Sequence, residues 1–115
     1  MEYLVAIASS DGKVVNQHFG HAEQFVIVKV KDYDYHYFDK RSTEAACQMG
    51  EHNDRSMEQV IEALSDCKYV LCARIGLGAE KKLWDHGIIP LEVTDLIDEA
   101  MKKLIKYSSR RSNGR

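Results

Sequence analysis

The chain has 115 residues, 44% of them hydrophobic and 30% charged, with a formal net charge of −2. That is the size and make-up of one globular domain with a core large enough for a single sheet, and no apolar run approaches the ~20 residues of a membrane-spanning helix. The last ten residues carry four cations and no acid, leaving twelve cations against 18 acids elsewhere, a poor footprint for nucleic acid.

Tyr3-Leu4-Val5-Ala6-Ile7-Ala8 lacks polar alternation, the pattern of a strand buried on both faces near the middle of a covered sheet. Residues 9–22 then run Ser-Ser-Asp-Gly-Lys-Val-Val-Asn-Gln-His-Phe-Gly-His-Ala, longer than a tight hairpin needs and rich in hydrogen-bonding side chains. Residues 24–30 form a second apolar strand. Lys31-Asp32 turns it into an edge strand over 33–38, with tyrosines at 33, 35 and 37 at a period of two. Residues 40–54 have no regular pattern. Ser56 opens a helix with Gln59 as capping box, and Met57, Val60, Ile61 and Leu64 as its core stripe.

Residues 69–73 are another buried strand, ended by Arg74-Ile75-Gly76-Leu77-Gly78. A second helix covers about 79–86 with Leu83 and Trp84 inward, and Gly87 stops it. Residues 88–91 form a short strand that Pro90 assigns to an edge. Thr94 or Asp95 caps a last helix whose Ile97, Ala100, Met101 and Leu104 face the sheet. Residues 107–115 lack an apolar period and read as a basic disordered tail, leaving residues 1–106 as the domain. The order is β-β-β-α-β-α-β-α, a mixed five-stranded α/β sheet flanked by helices.

In this topology the first and fourth strands run parallel, and the connections 9–23, 40–54 and 74–78 emerge at one end of the sheet. Ligands bind at the carboxyl ends of parallel strands in such sheets. His18 and His21 offer imidazole nitrogens, and Cys47, in a loop rather than an apolar run, offers a thiolate. Together they suit soft or borderline metals and iron–sulfur species. Ser10, Asn16 and Phe19 from the first connection join the candidate cofactor-binding set. Gly76 and Gly78 lend backbone N–H groups, and Arg74 a charge-assisted contact for an anion. Cys67 and Cys72 read as core. Three cysteines without a Cys-x-x-Cys pair support neither a disulfide framework nor a permanently clamped cluster. With no signal-like N-terminus, the expected location is the cytoplasm. Sparse ligands favour hand-over.

Val15-Asn16-Gln17-His18-Phe19-Gly20-His21-Ala22, the isolated Cys47 followed by Gly50-Glu51, and residues 67–76 together resemble the dinitrogenase iron–molybdenum cofactor biosynthesis family, the domain of NifX and of the NifB C-terminus. The resemblance covers about residues 3–105. It implies a ribonuclease H-like fold and non-enzymatic binding of an iron–sulfur or iron–molybdenum-type cluster in a nitrogen-fixation context. It brings over His18, His21 and Cys47 as metal ligands, and His52 as a further binding residue. The family includes members from organisms without nitrogenase, and one that holds a molybdenum–copper sulfide cluster without thiolates. No radical-SAM cysteine motif is present, so synthesis of the precursor is not expected. The expected partners are the cluster and a cofactor-assembly or acceptor protein, without a membrane or nucleic acid. Two rival readings are a nuclease using Asp11, Asp39 and Glu51, and a metal-free interaction module using Tyr33, Tyr35 and Tyr37.

Overall fold

A computed structural model describes residues 2–42 and 54–113. Five strands form one sheet: β1 (Glu2–Ala8), β2 (Gln24–Lys31), β3 (Asp34–Ser42), β4 (Tyr69–Cys72) and β5 (Ile89–Glu92), in the order β3-β2-β1-β4-β5. β1, β2 and β3 are an antiparallel meander, whereas β4 and β5 run parallel to β1. The unalternating apolar run of β1 therefore sits at the centre, and Pro90 lies on an edge strand, where its missing N–H costs no ladder bond.

Each face of β1 feeds a different core. Ala6 and Ala8 join Phe19, Phe25, Ile27, Val60, Ile61, Leu64 and Leu83 under α1 (Asp54–Ala63) and α2 (Leu77–Asp85). Val5 and Ile7 join Val15, Leu71, Met101 and Leu104 under α3 (Ile97–Asn113). Small alanines on the first face leave room for two phenylalanines, Phe19 and Phe25, whose ring centroids lie 5.7 Å apart. Burying a side chain of that size contributes about 2–3 kcal/mol. No helix among the described residues is long and apolar enough to cross a membrane.

Several boundaries differ from the sequence reading, each for a local reason. The edge strand β3 runs on to Ser42 past a bulge at Phe38, which is skipped between the pairs Ile27–Asp39 and Val28–Tyr37. α1 begins at Asp54, ahead of the expected capping box at Ser56, and α2 at Leu77. Trp84 is 54% exposed rather than inward, because Ala79 and Leu83 already define the buried line of α2 and the next residue turns about 100° away. Gly87, at φ 77°, ends α2 as expected, its N–H bonding Trp84 O. The expected disordered tail is helical through Asn113. Ser108 occupies the next position of the α3 stripe and is buried. Its hydroxyl meets the Tyr3 hydroxyl at 2.6 Å and donates to Ile105 O at 3.2 Å.

Candidate functional site

Residues 9–23 form a stitched strap across the carboxyl ends of β1 and β4. The buried Ser9 Oγ accepts the Gly12 N–H at 2.9 Å, with Gly12 at φ 75°. Asp11 Oδ1 accepts the N–H groups of Lys13 (2.9 Å) and Val14 (3.1 Å), which hold its carboxyl below the usual carboxylate range. Ser10 and Asn16 satisfy each other, Ser10 N–H donating to Asn16 Oδ1 and Asn16 Nδ2 to Ser10 Oγ, both at 3.0 Å. Val15 N–H then reaches Asp95 O, and Ile97 N–H reaches Lys13 O, tying the strap to the start of α3.

Past Asn16 the strap behaves as a short extra strand beside the residues that follow β4. Ala73 N–H donates to Gln17 O at 2.9 Å and Phe19 N–H to Arg74 O at 2.8 Å, making a parallel bridge between His18 and Arg74. A 3₁₀ turn, Phe19–His21, follows at once. Three residues per turn stack positions i and i+3, so one spacing serves two purposes. Phe19 and Ala22 are buried as anchors, whereas His18 and His21 are exposed, their rings stacked 5.8 Å apart at 19°. Among the described residues neither imidazole, nor the guanidinium of Arg74, has a hydrogen-bond or ion-pair partner.

These groups line an open cleft of about 400 Å³, with Gly20, Ile75, Gly76, Leu77 and Glu92 completing its wall. Gly76 is the N-cap of α2 and supplies no side-chain cap. The Glu92 carboxylate, at the end of β5, accepts the Ile75 N–H at 2.9 Å.

Of the candidate residues, His18, His21, Arg74 and Gly76 meet at this cleft. Ser10 and Asn16 brace the strap instead of lining the cleft, Phe19 is core, and Gly78 lies within the first turn of α2 away from the lining. Cys47 and His52 lie outside the described residues, although Ser42, the last residue of β3, pairs with Gln24 at this same end of the sheet. Cys67 and Cys72 are buried, and burial above all pushes each thiol up to about 12, which keeps both from acting as thiolates. Among the described residues no three of His, Cys, Asp and Glu gather so as to hold a metal ion. Two exposed imidazoles beside a guanidinium unpaired among the described residues make an open, sparse donor set for a borderline-metal anion.

Glu92 was not among the expected site residues. Its signal was positional: the reading stopped the last strand at Leu91, one residue before the carboxyl end where a parallel strand meets a ligand. Of the carboxylates of the nuclease reading, the two that are described, Asp11 and Asp39, belong to no group that could hold a metal ion. Asp11 is held by the strap, Asp39 by Arg41 at 3.2 Å and by Lys40 N–H, and Glu51 lies outside the described residues. Of the three edge tyrosines, Tyr35 donates to Asp98 at 2.8 Å and ties β3 to α3. Burial, followed by that bond, raises its hydroxyl to about 12.

The family described as dinitrogenase iron-molybdenum cofactor matches residues 1–107. The chain is similar to the FeMo cofactor biosynthesis protein NifB of Frankia alni, at 39% identity over 104 residues, which is 88% of this chain and 20% of that protein. NifB of Herbaspirillum seropedicae is 35% identical over 92 residues, 80% of this chain and 18% of the relative. The chain thus spans about a fifth of these relatives' length. Its fold is similar to that of PH0822, with 28% identity and a TM-score of 0.69 over 90% of this chain and 88% of that one. The Methanocaldococcus jannaschii protein MJ0327, at 17% identity and a TM-score of 0.59 over 92% of this chain and 90% of that one, speaks for the fold alone. With a match that runs from β1 through the strap and cleft into α3, the chain belongs to the dinitrogenase iron-molybdenum cofactor family.

Proposed function

We propose that the chain binds and carries an anionic iron–sulfur or heterometal–sulfide cluster for cofactor assembly, without catalysing a reaction on it, and passes it to an assembly or acceptor protein. The observation that carries this reading is the pair of stacked imidazoles, His18 and His21, with no described partner, facing one cleft with Arg74. Imidazole nitrogens ligate iron, copper and related metals, and a guanidinium offers charge-assisted hydrogen bonds to sulfide or other anionic atoms. Cys47 is the thiolate expected to add to this set, with His52 as a lesser contributor. A few ligands in an open cleft release cargo more readily than a closed four-thiolate cage, which suits a carrier. The relatives' names place them in cofactor biosynthesis, and the sheet order supports the ribonuclease H-like architecture that the family resemblance implies.

Anaerobic reconstitution with iron and sulfide, followed by visible absorption and metal counting, tests the reading. The wild-type chain is expected to retain cluster through gel filtration. The variant H18A/H21A is expected to lose at least about tenfold in retention while melting normally, and C47A to lose part of it. A wild-type chain that retains no metal, or a double variant that retains as much as wild type, overturns the proposal.

A further inference from the structure

The same cleft contains a negative charge that a simple anion site would not need. Glu92 is the last residue of β5, set opposite Cys72 in the parallel ladder, and Val93 N–H donates to Cys72 O at 2.9 Å to fix that end of the strand. Its carboxylate reaches across to the Ile75 N–H, at 2.9 Å, and lines the cleft with His18, His21 and Arg74. The segment 73–75 is thus held from two sides. On one, the strap takes the Ala73 N–H and donates to Arg74 O; on the other, Glu92 takes the Ile75 N–H. Gly76 has no side chain to cap α2, so the Glu92 carboxylate at the Ile75 N–H adds to Glu80 of the first turn as an acid at the start of that helix.

We propose that Glu92 is a positioning residue that makes binding in this cleft reversible: one oxygen fixes the turn bearing Arg74, and its charge opposes that of Arg74 and weakens the hold on an anionic cargo. The second half rests on the function proposed above; the first half does not. The two roles separate by substitution. Glu92→Gln keeps an oxygen that can accept the Ile75 N–H and removes the charge, whereas Glu92→Ala removes both. Glu92 is exposed at a strand end, so both variants are expected to fold.

Two measurements decide the matter. In the free 115-residue chain, amide exchange at Ile75 is expected to quicken about tenfold in E92A and to stay near wild type in E92Q. Unchanged exchange in E92A overturns the positioning role whether or not any cargo binds. With thiomolybdate, a coloured metal-sulfide dianion, as probe, E92Q is expected to bind about threefold tighter than wild type with slower release, and E92A to bind more weakly than E92Q. E92Q binding more weakly than wild type overturns the charge role and makes Glu92 a direct ligand. If wild type binds neither thiomolybdate nor reconstituted cluster, the carrier reading and the charge role fail together, and the exchange result alone decides the positioning role.

Discussion

The two ends of the sheet spend their polar groups in opposite ways. At the amino end of β1 and β4 the polar side chains of Glu2, Tyr3, Lys29 and Lys68 find partners. The Tyr3 hydroxyl meets Ser108 at 2.6 Å, Lys68 lies over the rings of Tyr3 and Tyr69 at 5.3 and 5.6 Å, and Lys29 meets Glu2 at 2.7 Å. At the carboxyl end the strap satisfies its own backbone and then presents His18, His21 and Arg74 with nothing described to pair them. Pairing groups inside the molecule favours the fold, whereas leaving them open favours a ligand. The contrast locates the site without any appeal to relatives.

The contrast breaks most severely at Phe19, which belongs to both regimes. Phe19→Ala should destabilise the chain by about 3–5 kcal/mol in urea unfolding, and should also abolish cluster retention, because the 3₁₀ turn loses its anchor. Arg74→Ala sharpens the contrast: thiomolybdate affinity should fall about tenfold while the urea midpoint stays where it was. Tyr3→Phe does the converse, costing about 1 kcal/mol of stability and leaving cargo binding unchanged.

Acid gives the smallest effect. Arg41 donates to Asp66 at 2.7 and 2.9 Å, and those bonds hold the Asp66 carboxyl below its ordinary value. A carboxyl depressed in the folded state stabilises at pH above its unfolded value, about 3.9, and that contribution disappears as pH falls through the folded value. The Asp66 side chain is half exposed, so Asp66→Asn should flatten the loss of stability below about pH 4 by less than about 1 kcal/mol, read from urea midpoints.

What the sequence made legible follows from how local each signal is. Continuous apolar runs at residues 3–8 and 69–73 marked the interior parallel strands β1 and β4, because only a doubly covered strand tolerates them. The cleft was legible as a convergence of connections, and His18, His21, Arg74 and Gly76 meet there. Features set by distant partners were hidden. Ser108 reads as a polar tail residue until Tyr3 arrives beside it. Glu92 reads as an exposed acid until the Ile75 N–H points at it. The His-x-x-His spacing was visible, but the 3₁₀ geometry that stacks the rings depends on Phe19 reaching the core.

Ala6 and Ala8 share that core with Phe19 and lend it the space of two missing methyl clusters. The perch of the imidazole pair is therefore adjustable from beneath: enlarging either alanine by a carbon or two should crowd this core and displace Phe19, carrying both rings with it. Whoever wishes to retune what this pocket grips could leave its rim untouched and operate on the floorboards.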